Sequence, residues 1–379
     1  MNKIPDLRFA GFAGEWESSR LSDISIINPK SGKLPETFKY VDLASVTGTC
    51  LTNYTILNKE DAPSRAQRLS EKGDIFYQTV RPYQRNNYLF NLDDNDYVFS
   101  TGYAQIRTNQ EPSFIFAIMQ TNKFVNTVMN RTTGTSFPAI STTDLSNIDI
   151  KITPNKEEQK KIGDLFKKID ALIEIQEDKV SKMEDFKKSM LQKIFPKKGE
   201  LVPEIRFKGF TENWELVKLG HTGELSAGGD INKSKIQKGG KYPVIANGDS
   251  NSGIVGYYDD EFKIQGPAIT ISARGNIGTA TYRDYNFTPV VRLITLKTNN
   301  NYYFMTTLIN TLNIIYESTG ISQLTIPQIG SYKIKIPSLP EQEKIGQFFK
   351  NLDSQIETEK KLLDSYKMMK KSLLQKLFV

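Results

Sequence analysis

Apolar residues between positions 162 and 194 recur in steps of three and four: Ile162, Leu165, Phe166, Ile169, Ile173, Val180, Met183, Phe186, Met190 and Ile194. The same rhythm returns at the C-terminal end, at Ile345, Phe348, Phe349, Leu352, Ile356, Leu363, Tyr366, Met369, Leu373 and Leu377. Lys and Glu fill most of the gaps. This spacing, held over about five heptads, predicts in each place one long helix with an apolar stripe and a wet face. At 1.5 Å per residue each helix would run roughly 55 to 60 Å. A stripe of that length needs a partner of equal length, so the two helices are expected to pair with each other. The alternative is that each packs on its own neighbouring domain.

The two stripes are copies. Glu158-Gln159-Lys160-Lys161-Ile162-Gly163 reappears as Glu341-Gln342-Glu343-Lys344-Ile345-Gly346, and Leu191-Gln192-Lys193-Ile194-Phe195 as Leu374-Gln375-Lys376-Leu377-Phe378, both 183 residues later. Their charged residues read as solvated faces with i, i+4 pairs. The repeat also extends upstream: Pro5-Asp6-Leu7-Arg8-Phe9-Ala10-Gly11-Phe12, then Trp16, is matched 198 residues later by Pro203-Glu204-Ile205-Arg206-Phe207-Lys208-Gly209-Phe210, then Trp214. The chain is therefore two tandem copies of a globular segment followed by a long helix. The expected divisions are a first domain 1–155, its helix and linker 156–198, a second domain 199–338, and a second helix 339–379. The two tryptophans, equivalent in the repeat, are expected as buried anchors.

Within the globular copies the pattern is α+β. Strands are predicted over 74–80, 97–100, 103–107 and 148–152, and a helix over 114–129, with a turn-rich loop at Thr133-Gly134-Thr135-Ser136-Phe137-Pro138. The second copy predicts strands over 266–272, 290–296 and 332–336, a helix over 304–315, and a loop at Thr319-Gly320-Ile321-Ser322. Pro196-Lys197-Lys198-Gly199 ends the first helix and frees the chain.

Composition narrows the function classes. The 379 residues are 38% hydrophobic and carry a formal charge of +7. This modest basic balance is compatible with a nucleic-acid partner. No eighteen-residue apolar run occurs and the first residues lack the apolar stretch of a signal peptide, so a soluble, cytoplasmic chain is expected. A single cysteine, Cys50, excludes intrachain disulfides and multi-cysteine metal sites. A single histidine, His221, leaves no Ser-His-Asp arrangement and no His-rich metal site. Neither a phosphate-binding G-x-x-x-x-G-K-[ST] loop nor a G-x-G-x-x-G cradle is present. The sequence points to binding rather than catalysis, with no metal and no cofactor held on this chain.

Arginine-bearing polar loops interleave with aromatics in both copies: Arg65, Arg68, Arg81, Tyr83, Gln84 and Arg85 in the first, Arg274, Asn276 and Arg283 in the second, with Ser136 and Ser322 in the two turn-rich loops. Arginine reads guanine bidentately in the major groove, and asparagine and glutamine read adenine, so these loops fit DNA reading. Solvated loops with incidental charges are the competing explanation. Two similar units on an antiparallel helix pair would have approximate twofold symmetry and would meet two half-sites about one helical turn apart. Because Val80-Arg81-Pro82 faces Ala273-Arg274-Gly275 in the alignment of the copies, the half-sites should differ.

The tandem organisation, P-E-Q-E-K-I at Pro340–Ile345, S-L-L-Q-K-L-F at Ser372–Phe378, the P-x-[IL]-R-F-x-G-F openings at Pro5 and Pro203, and the V-R-P that closes the 74–82 segment resemble the specificity (S) subunit of type I restriction-modification enzymes. The resemblance covers essentially the whole chain. It implies two target-recognition domains joined by two long helices in an antiparallel coiled coil, with Ile162, Phe166, Ile169, Ile173 and Val180 pairing against Ile345, Phe349, Leu352, Ile356 and Leu363. It implies a non-catalytic subunit that binds a bipartite, asymmetric double-stranded DNA target. The implied protein partners are two adenine methyltransferase subunits and up to two ATP-dependent restriction and translocase subunits, on which S-adenosylmethionine, ATP and Mg2+ would reside. A protein-interaction scaffold without DNA readout is the alternative.

Overall fold

The computed structural model describes residues 3–248, 250–315 and 322–379. Thr319, Gly320 and Ile321 of the second predicted loop lie outside the described residues. The chain divides into two compact units, Met1–Lys179 with Lys360–Val379, and Val180–Glu359. The predicted divisions follow the repeat; the compact units instead cut both long helices in the middle. Each unit therefore holds one globular segment, the start of the helix that follows it, and the end of the other helix.

The long helices span Lys156–Ile194 and Leu339–Lys376. Asn155 caps the first: its Oδ1 accepts from the Glu157 and Glu158 amides. Pro340 enters the second in its first turn, where no intrahelical N–H is needed. In the first unit Asp170 pairs with Lys370 at 2.5 Å and Glu177 with Lys367 at 2.7 Å, so the two helical segments run in opposite directions there. In the second unit Lys187 pairs with Asp353 at 2.5 Å.

In the first unit the opening strand Glu17–Arg20 pairs antiparallel with Asp149–Ile152 and closes the globular segment on itself. One four-stranded antiparallel sheet runs Ser25–Ile27, Tyr103–Thr108, Ile75–Gln78, Tyr88–Leu89. A second runs Thr55–Asn58, Thr37–Val41, Tyr97–Ser100, Ala66–Leu69, with its central pair parallel. The second unit repeats the plan. Glu215–Lys218 pairs with Lys333–Ile336, a four-stranded sheet runs Gly223–Ala227, Ile294–Thr298, Ala268–Ile271, Ala280–Arg283, and a three-stranded one contains a parallel pair, Tyr242–Ile245 with Thr288–Pro289. The helix expected over 114–129 is two, Pro112–Gln120 and Asn122–Met129. They break at Thr121, whose backbone is extended and whose hydroxyl accepts from the Phe124 amide. Its second-unit counterpart is the single helix Tyr302–Asn310.

Both tryptophans are buried, as the repeat predicted. Trp16 meets Phe114 edge-on at 5.5 Å and Phe378 at 6.0 Å, while Phe378 stacks on Phe166 at 5.7 Å. Trp214 meets Phe304 at 5.9 Å and Phe195 at 6.0 Å, and Phe195 stacks on Phe349 at 6.0 Å. The repeated L-Q-K-[IL]-F thus ends each helix in an aromatic plug for one globular core. Accordingly, Ile162, Phe166, Ile169 and, half-buried, Ile173 do more than face a helix: they belong to a core with Phe114, Ile115 and Leu377. Ile345 and Phe349 belong to a core with Ile194, Phe195 and Phe304. Val180, Leu352 and Ile356 are buried and Leu363 is half-buried.

The Glu-Gln pairs, read from sequence as solvated, are buried instead. Glu158 takes the Arg8 guanidinium on both oxygens, at 2.6 and 2.8 Å, and Glu341 takes Arg206 at 2.8 and 2.8 Å. Gln159 Nε2 donates to the Thr153 carbonyl and its Oε1 accepts from the Glu111 amide; Gln342 does the same with Pro337 and Asn301. Gly163 and Gly346 complete the motif, because a Cβ at either would collide with Ser113 or Asn301. The misreading has a physical source: these carboxylates and amides hold the opening arm and the start of an earlier helix, partners distant in sequence.

Candidate nucleic-acid interface

In the first unit the chain leaves the strand Ile75–Gln78 and crosses to the turn-rich loop. The Ile140 amide donates to the Thr79 carbonyl at 3.0 Å and the Arg81 amide to the Pro138 carbonyl at 2.7 Å, with Val80 bridged to Ala139 between them. Gln78 supports the turn from beneath: its Nε2 donates to the Val80 carbonyl at 2.8 Å and to Gln84 Oε1 at 2.9 Å. Pro82–Gln84 form one tight helical turn, flanked by Arg81 at φ 54° and Arg85 at φ 58°. For residues with a Cβ this left-handed region costs about 1–3 kcal/mol each, which the surrounding hydrogen bonds offset.

The structure sorts the arginines expected to read DNA. Arg81 is half-buried, with its guanidinium carbon 4.3 Å from the centre of the Phe137 ring and its Nε enclosed without a hydrogen-bond partner. Tyr83 is half exposed and Gln84 exposed beside it, and Ser136 is exposed at the tip of the facing loop. Arg65 is exposed. Arg68 is half-buried on the strand Ala66–Leu69, and burial pulls its pKa below the ordinary value. Arg85 turns inward, donating Nη1 to the Gln120 carbonyl at 3.1 Å and Nη2 to Asn122 Oδ1 at 2.6 Å, so it ties the turn to the break between two helices.

In the second unit Arg283 is only 6% exposed. It bonds Thr270 Oγ1, the Tyr285 hydroxyl and the Ser252 carbonyl, and so braces the sheet rather than facing outward as the sequence suggested. Arg274 is half-buried with an enclosed, unpartnered Nε, Asn276 is exposed, and Ser322 is half-buried. The alignment of the loops also needs correction by one residue. The Leu324 amide donates to the Ala273 carbonyl as Ile140 does to Thr79, which makes Thr79 equivalent to Ala273, Val80 to Arg274, and Arg81 to Gly275. The backbone agrees: Arg81 and Gly275 both take positive φ, 54° and 69°. Arg274 is therefore not the counterpart of Arg81.

Phe137 escaped the sequence reading. Exposed aromatics carry no periodic signal, and only its position one residue before Pro138, facing V-R-P, could have flagged it. Among the described residues no group of three or more His, Cys, Asp or Glu is arranged to hold a metal, and no helix is long and apolar enough to cross a membrane. Burial, with Glu174, Glu177 and Asp170 nearby, pushes the Cys50 thiol up to about 11.

Two copies of one mixed sheet-and-helix unit, each carrying a turn of different chemistry on the same hydrogen-bonded frame, define a duplicated recognition fold. The family model for the type I restriction modification DNA specificity domain matches residues 13–185 and again 211–366. The chain belongs to this family. It is 34% identical over 142 residues to a Mycoplasma pneumoniae protein named for a type I specificity subunit, covering 36% of this chain and 39% of the relative. It is 30% identical over 170 residues to the HindI specificity subunit of Haemophilus influenzae, covering 42% and 36%. The match spans less than half of either relative's length. The fold is like that of the S subunit of a type I restriction-modification system from M. genitalium, with a TM-score of 0.72 and 17% identity over 99% of both chains.

Proposed function

We propose that this chain is the DNA sequence-recognition subunit of a type I restriction-modification complex and is itself non-catalytic. The observation that carries the proposal is that the DNA specificity domain occurs twice in one chain, each time with the same buried latch and a different exposed turn. Each unit would read one half of a bipartite, asymmetric double-stranded target. The opposed helix segments, seen in the first unit from Asp170–Lys370 with Glu177–Lys367 and in the second from Lys187–Asp353 with Phe195–Phe349, support an antiparallel coiled coil that would set the spacing of the target halves. The same helices would dock two adenine methyltransferase subunits and up to two restriction and translocase subunits, which would bring S-adenosylmethionine, ATP and Mg2+. Base contacts are assigned to Arg81, Tyr83, Gln84 and Ser136 in the first unit and to Arg274, Asn276 and Ser322 in the second. Arg65 and Arg68 are assigned to the phosphates. Methylome sequencing of the host with and without the gene tests the proposal. A methylated motif of two different short halves around an unread spacer, lost on deletion, is expected. An unchanged methylome would favour a protein-interaction scaffold.

A further inference from the structure

The Arg81 guanidinium is held against an aromatic ring. It lies over the ring of Phe137, a residue 63% exposed, so the ring is open to a ligand. The backbone fixes both partners: Arg81, at φ 54°, donates its amide N–H to the carbonyl of Pro138, the residue after Phe137. A guanidinium held over an aromatic face can keep its terminal nitrogens open for two parallel hydrogen bonds, a geometry suited to guanine O6 and N7; for a phosphate alone an untethered lysine would serve. Its Nε points inward, so the terminal nitrogens form that edge. The second unit cannot repeat the device, because Gly275 stands where the first has Arg81.

We propose that Arg81 and Phe137 act as one reader of the first half-site. Phe137 is a positioning residue that holds the Arg81 edge toward a guanine and offers its exposed ring to the methyl group of a neighbouring thymine. This rests on the DNA-reading function proposed above. The test uses the full chain assembled with its methyltransferase subunits, measuring relative affinity for duplexes randomised at each target position. Phe137→Ala should lower guanine discrimination at one position of one half-site by about two- to fivefold, the range of an exposed cation–π contact. It should also erase a thymine preference beside that position. Phe137→Trp should retain both, Phe137→Leu should keep the thymine preference and lose the guanine gain, and the other half-site and the melting temperature should not move. If Arg81→Ala relaxes a guanine position but Phe137→Ala does not, the paired reader is overturned while DNA reading stands. Equal weakening of both half-sites by Phe137→Ala, or a fall in melting temperature that Phe137→Trp fails to restore, would also overturn it. A wild-type complex without sequence preference would remove both proposals.

Discussion

The latch between Arg8 and Glu158 makes a quantitative demand on stability. Glu158 has no exposed side chain and Arg8 is 13% exposed. Arg8 also donates Nη1 to the Gly14 carbonyl at 2.6 Å and Nη2 to the Ala13 carbonyl at 3.0 Å, so one side chain shapes the opening arm and seats it on the helix. Arg8→Ala leaves a buried carboxylate with Thr153 Oγ1, at 2.6 Å, as its remaining side-chain partner. A surface pair would cost about 0–1 kcal/mol, but an unpaired buried charge costs about 3–5 kcal/mol. Adding Glu158→Gln removes the charge and lets the amide oxygen still accept from Thr153, so the double variant should recover to within about 1–2 kcal/mol of wild type. Urea unfolding of the full chain in a Trp214→Phe background leaves Trp16 as the reporter of the first unit. A loss below about 1 kcal/mol for Arg8→Ala, or a double variant no more stable than the single, would refute the argument that a buried, desolvated charge sets the cost.

Phe378→Ala should destabilise the first unit by about 2–3 kcal/mol, less than a fully buried ring because Phe378 is half-buried, since it removes the ring that touches Trp16, Phe114 and Phe166, and it should shift Trp16 emission. Gly163→Ala should cost about 1–3 kcal/mol by overpacking against Ser113, with Ser113→Gly recovering part of it, read by thermal melting. Cys50, pushed up to about 11 from 9.0, is ionised about a hundredfold less at pH 8 than an ordinary thiol, so iodoacetamide should label it far more slowly in the folded chain than in urea. Equal labelling rates would refute that.

The long helices were legible because their stripes obey a local period, and the tryptophan anchors because the repeat aligned them. Most of the second sheet of each unit was not, although the first unit's strand Tyr97–Ser100 was predicted. Its other strands, such as Ala66–Leu69 and Thr37–Val41, are short and half-buried, so their apolar residues do not alternate over enough positions to stand out. The latch was hidden for a different reason. Arg8 and Glu158 are 150 residues apart, and on a helix a Glu beside a Lys looks like solvated surface until its distant partner is placed. Arg85 and Arg283 show the same limit: charge in a loop says nothing about whether a carbonyl waits inside for it.

The one-residue shift between the two turns bears directly on how a duplicated unit can read two different sequences. The frame is common: Ile140 to Thr79 in one unit, Leu324 to Ala273 in the other. At the left-handed position the first unit spends backbone strain to place a large side chain, and the second uses Gly275, which takes φ 69° without a Cβ. The second unit's arginine then sits one residue earlier, where the first has Val80 and where the chain is still bridged to the facing loop. The earlier position is bridged to the facing loop in the first unit and the later one takes left-handed backbone in both, so moving an arginine by one position changes the backbone that presents it without altering the frame that holds it. On the proposed function this is sufficient to give each unit its own half-site. It also implies that exchanging Arg274 and Gly275 for the first unit's Val80 and Arg81 would transfer an arginine position without transferring the ring that positions it, because Phe137 lies on a separate loop.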